Sequence, residues 1–105
     1  MKHDAMLTIR ADVVRRIDAI AEQRGHIPLA AMCDEVDHIR HVARSYGLEP
    51  LERLASMLES ALALDGHGPV VLSYLDMMRD AAVCEDVGPH VSTAYLAAIS
   101  LRMGA

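Results

Sequence analysis

Apolar positions recur every three or four residues along most of the chain, and Gly and Pro divide that pattern into five segments. In the first, Ile9, Val13, Ile17 and Ile20 share one stripe and Gly25 follows as a C-terminal cap, so the spacing predicts a helix over about Ala11 to Arg24. Pro28 stands where the first turn of a helix tolerates a missing N–H. A second helix then runs to about Tyr46, with Leu29, Met32, Val36, Ile39, Ala43 and Tyr46 as its apolar stripe, and Gly47 ends it. Pro50 opens a third helix whose stripe is Leu51, Leu54, Ala55, Leu58 and Leu62. Gly66-His67-Gly68-Pro69 reads as a turn. Beyond it, Val71, Leu75, Met78 and Ala82 mark a fourth helix over about Val70 to Glu85. After Gly88-Pro89, the residues Val91, Tyr95, Ile99 and Met103 predict a last one.

The connections are short, so consecutive helices are expected to be antiparallel neighbours. The expected architecture is all-α: an antiparallel, up-down, four-helix-type bundle with an additional C-terminal helix, its second and third helices forming the central hairpin. A length of 105 residues suits one domain spanning residues 1–105 and is too short for two. Composition sharpens the fold class. Phe and Trp are absent and Tyr46, Tyr74 and Tyr95 are the only aromatics, so Ala, Leu and seven Met must fill the core. These are helix formers, which favours an all-α domain and argues strongly against a β-sandwich. Met77-Met78 then reads as core filler, and Cys33 and Cys84 as small core or boundary residues.

Charge and cysteine usage narrow the function. A net charge of -5 argues against a nucleic-acid binder, which needs a basic stripe to displace counterions. Met1 to Arg16 mixes charged and apolar residues too finely for a secretory signal, and no apolar run approaches the roughly 20 residues of a membrane span. Two unpatterned cysteines build no disulfide framework or zinc knuckle. A cytoplasmic protein is expected. The stripe of the last helix fits either a cap on the bundle or a homodimer contact.

Candidate chemistry concentrates on the second helix. At about 100° per residue, Asp37, Arg40, His41 and Arg44 fall on the face opposite the apolar stripe, and His38 points outward beside Asp34 and His41. The plainest reading is a solvated face laced with ion pairs, Asp37 with Arg40 or His41. A metal site is a poorer fit. Glu35 and His38 form one Glu-x-x-His pair of the di-iron kind. Gln23, Leu64 and Val87 precede His26, His67 and His90 by three residues, so the second copy is lacking. Arg40 and Arg44 also oppose a cation, and no metal or other cofactor is expected. With no Ser-His-Asp order, nucleophile elbow or Gly-rich phosphate loop, independent catalysis is not expected either. Phosphate handling fits best. A neutral imidazole is a nucleophile near neutral pH, and a guanidinium one turn away can steady phosphoryl oxygens. His41 or His38 would be the phosphoacceptor, with Arg40 and Arg44 supporting the phosphate. His3, His26, His67 and His90 sit near helix ends or turns and read as incidental.

Over about residues 13–82 the chain resembles a histidine-containing phosphotransfer (HPt) domain. The family pattern runs Ala-His-x-Leu-Lys-Gly, a helix-ending Gly, a Leu, a small residue and Leu-Glu on the next helix. Here the corresponding stretch is Val36-Asp37-His38-Ile39-Arg40-His41, then Gly47, Leu51, Ala55 and Leu58-Glu59. Ile39 falls on the family's buried Leu, Arg40 on its Lys, Gly47 on its helix-ending Gly and Leu58-Glu59 on its Leu-Glu. Asp37 stands at the phosphoacceptor position, and His41 where the family has Gly. His38 is one residue late, which turns a helical side chain by about 100°. The resemblance implies a phosphorelay protein of two-component signalling. Its partners would be a response-regulator receiver domain, docked on the face carrying Asp34 and Asp37, and a histidine kinase. Two versions stay open: His41 or His38 has taken over phosphate acceptance, or the chain is a pseudo-HPt that binds a receiver without carrying phosphate. The alternative class is a non-catalytic helical interaction module for a protein partner or a second copy.

Overall fold

A computed structural model describes residues 2–84, with side chains from Ala5 onward, together with Ala94, Ala97, Ala98 and Leu101. The elements among the described residues are all helical, and four helices are delimited there: α1 (Lys2–Gln23), α2 (Leu29–Ser45), α3 (Glu49–Asp65) and α4 (Val70–Val83). The four residues beyond Cys84 are helical, and Ala98 packs against the core. The terminal helix expected after Pro89 otherwise lies outside the described residues, as do Tyr95, Ile99 and Met103.

The helices associate as a bundle. α3 packs along both α2 and α4, α4 along α1, and α1 meets α2 over a shorter stretch. The expected stripes supply the core. Val13, Ile17 and Ile20 of α1 are buried with Met32, Val36, Ile39 and Ala43 of α2. All five stripe residues of α3 are buried, with Val71, Leu75, Met78 and Ala82 of α4. Met77 is buried too, as expected of filler, and so is Tyr74, whose phenol is pushed up by that burial.

Three expectations need correction. α1 begins at Lys2 rather than near Ala11, because its N-terminal turns have tertiary partners. Met6 and Ile9 pack against the core, and Arg10 donates from Nη1 to the carbonyls of Ala82 (2.9 Å) and Cys84 (2.5 Å) at the end of α4. A helix end leaves carbonyls without intrahelical donors, and Arg10 satisfies two of them. Second, Leu29 and Tyr46 at the two ends of the α2 stripe are exposed. There the helix reaches its connections and its neighbours no longer cover it. Third, α4 ends at Val83 and Cys84 is its extended cap, so that cysteine is not on a helix.

The turn between α2 and α3 sets how the polar face of α2 meets its neighbour. Gly47 has a φ of +71°. Its N–H donates to the Arg44 carbonyl (3.4 Å) and the N–H of Leu48 to that of Ala43 (2.8 Å). This paired arrangement is a Schellman cap, and glycine takes its left-handed position without a Cβ penalty. The apolar residue after the glycine, Leu48, is buried and closes the end of the core. α3 starts at once, with Pro50 in its first turn and Glu49 and Glu52 favourably near its N-terminus.

Candidate functional site

The burial of Val36, Ile39 and Ala43 fixes the rotation of α2, and the polar residues between them face outward. His38, His41, Asp34 and Arg44 are exposed, while Asp37 and Arg40 are half-buried. The structure thereby divides the residues singled out from sequence into two groups.

Asp37, Arg40 and His41 are brought together, and α3 adds a fourth member, Glu59. Arg40 donates from Nη2 to Asp37 Oδ1 (2.7 Å) and from Nε to Glu59 Oε1 (3.1 Å). One guanidinium thus ties a carboxylate on its own helix to one on the next. His41 lies on the other side of Asp37, its Nδ1 2.9 Å from the Asp37 carbonyl oxygen and 3.3 Å from Asp37 Oδ2. Both neighbours of Nδ1 are acceptors, so Nδ1 carries the proton and, in the neutral ring, Nε2 keeps the lone pair. His41 is 60% exposed.

The second group is His38, Asp34 and Arg44, which make no side-chain hydrogen bond or ion pair among the described residues. Arg44 lies one turn beyond His41 and is an unengaged cation there. Arg40, expected to share its role with phosphate, is instead occupied by two carboxylates.

The electrostatics reflect that sharing. The hydrogen bond from Arg40 is the main cause holding the Asp37 carboxyl below its ordinary value, with His41 adding to it, and the two carboxylates raise the Arg40 guanidinium. Glu59 goes the other way. Burial between the helices, with the neighbouring Asp37 carboxylate adding to it, raises its carboxyl above the ordinary value despite the lowering by Arg40.

Glu59 is the member that spacing along α2 does not place in the site, although the Leu58-Glu59 pair belongs to the HPt pattern. Arg40 precedes Gly47 and Glu59 follows it at unequal spacings, so distance from the turn does not pair them, and the Leu-Glu of the pattern is the sequence signal that points to Glu59. Elsewhere the charged residues form surface pairs, Asp12 with Arg15 and Arg16 and Asp18 with Arg79. Among the described residues no three His, Cys, Asp or Glu side chains converge as a metal site, and no helix is long and apolar enough to cross a membrane. No protein-family model, curated protein or solved structure matches the chain.

Proposed function

We propose that the protein is an HPt-like phosphorelay component that docks a receiver domain on the outer face of α2 and carries the phosphoryl group on Nε2 of His41. In this reading the four helices run alternately up and down, and the protein works in the cytoplasm between a histidine kinase and a response regulator. The observation that carries it is the environment of His41: Nδ1 faces only acceptors and the ring is exposed, so the nucleophilic nitrogen is directed away from its Asp37 contacts. His38 has no such partner and is the lesser candidate.

The step balances without an added base. The Nε2 lone pair attacks phosphorus in the receiver's aspartyl phosphate, a P–N bond forms, and the P–O bond breaks with its electron pair leaving on the aspartate carboxylate. Nδ1 keeps its proton, and the ring becomes a cationic phosphoimidazolium. Arg44 is the residue free to meet the phosphoryl oxygens. Asp34 and Asp37 belong to the docking face. The protein has no turnover of its own and serves as an intermediate.

A second reading has two observations in its favour. Asp37 occupies the pattern's acceptor position and Arg40 is already neutralised, which suits a pseudo-HPt that binds a receiver without taking phosphate. The deciding experiment incubates the full chain with a panel of phosphorylated receiver domains, scoring binding and transfer for wild type, His38→Gln and His41→Gln. Transfer by wild type and His38→Gln, lost in His41→Gln, is the expected result; normal transfer by His41→Gln removes His41 from the argument. Binding without transfer establishes the adaptor. Neither, with competent receivers, overturns the signalling reading and leaves a helical interaction module.

A further inference from the structure

Resting on the phosphotransfer reading, we infer that Asp37 is a positioning residue for His41 and that Arg40 and Glu59, in turn, hold Asp37. Asp37 supplies both oxygens facing Nδ1, one from its backbone and one from its carboxylate. Its two carboxylate oxygens are divided: Oδ1 accepts from Arg40 at 2.7 Å, and Oδ2 faces His41 at 3.3 Å. An aspartate on an exposed helix face ordinarily samples several rotamers. Arg40 selects one of them, and the bond from Arg40 Nε to Glu59 anchors that guanidinium to a second helix. The chain Glu59–Arg40–Asp37–His41 therefore runs from α3 outward to the ring.

This wiring affects the chemistry in two ways. The contacts fix which nitrogen bears the proton and hold the ring's rotation, so that Nε2 is presented to the incoming phosphorus. When the ring gains positive charge on phosphorylation, a carboxylate beside Nδ1 compensates it, an interaction stronger in the product-like state than in the neutral ring. The residue at the acceptor position of the HPt pattern thus serves an acceptor placed one turn further along.

The test of the positioning role needs no receiver; the relay is read from the receiver panel beside it. Long-range proton–nitrogen NMR correlations on the full chain, above the imidazole titration, report the tautomer of each histidine, with His38→Gln and His41→Gln assigning the signals. His41 is expected with its proton on Nδ1 and His38 with the Nε2–H form that free imidazole side chains favour. Phosphoramidate, a small phosphoryl donor, should then label His41 at Nε2, and Asp37→Asn should slow that labelling about tenfold while moving His41 toward the Nε2–H form. Glu59→Gln should act in the same direction and less. Wild-type His41 with its proton on Nε2 overturns the inference without any variant. So does an Asp37→Asn protein with unchanged tautomer and labelling rate. Labelling of His41 by phosphoramidate, slowed in Asp37→Asn, with no transfer from any receiver, supports the positioning role and refutes the relay. No labelling of wild-type His41 overturns both.

Discussion

Replacing Gly47 by alanine isolates how the turn between α2 and α3 is held. Gly47 has a φ of +71°, and a Cβ built on it meets nothing within 4 Å. The cost is therefore conformational, with no steric part. An L residue in the left-handed region loses about 1–2 kcal/mol. Alanine also restricts the unfolded chain, which offsets about 0.4–1 kcal/mol of that loss. A net destabilisation of about 1 kcal/mol remains, lowering Tm by about 4–8 °C in a domain of this size. Asparagine, which tolerates the left-handed region, should fall between glycine and alanine. Gly66 is the internal comparison. Its φ of 64° and ψ of -147° lie in a region essentially reserved for glycine, so Gly66→Ala should cost more, up to about 3 kcal/mol. Urea and thermal unfolding of Gly47→Ala, Gly47→Asn and Gly66→Ala give these differences directly. The reasoning is refuted if Gly47→Ala is as stable as wild type, or if it is more damaging than Gly66→Ala.

Two further predictions concern the described contacts. Arg10→Ala removes the side-chain donor that reaches the Ala82 and Cys84 carbonyls and should destabilise by about 1–2 kcal/mol, with faster amide exchange in the last turn of α4; unchanged exchange there would remove Arg10 as its cap. The acid limb should report the opposed shifts at the site. Asp37, held below its ordinary 3.8, contributes stability that is present above that value and lost as pH falls through its folded value. Glu59, held above its ordinary 4.5, contributes stability that is fully present below 4.5 and lost as pH rises through its folded value. Urea midpoints measured between pH 3 and 6 should accordingly show a shallower acid loss for Asp37→Asn and a steeper one for Glu59→Gln; the reverse ordering would refute the assignment.

Much of the fold is legible in the sequence because helix periodicity is a local property. Each interior stripe position of α3 and α4 is buried as its spacing implies, and the glycine and proline punctuation marks the connections. The misreadings fall at the ends. Nothing local in the first turns of α1 distinguishes an anchored segment from a frayed one, and its anchors, the core and the end of α4, are distant in sequence. Leu29 and Tyr46 continue the α2 stripe by spacing, yet periodicity cannot tell where covering neighbours stop.

The candidate site divides along the same line. Helical periodicity alone puts Asp37, Arg40, His41 and Arg44 on one face of α2, since 3.6 residues per turn decides that without reference to any other helix. It also determined an apolar stripe that turns this face toward solvent. The wiring of the face comes from the packing of the helices. Asp37 contacts both Arg40 and His41, and Glu59 draws Arg40 onto α3, which leaves Arg44 as the cation of that face with no side-chain partner among the described residues. Those choices depend on side-chain rotamers and on a carboxylate from a second helix. Hydrogen bonds a few ångströms long are set by where packing places two backbones, and the packing of α3 against α2 through the Gly47 turn brings Glu59 within reach of Arg40.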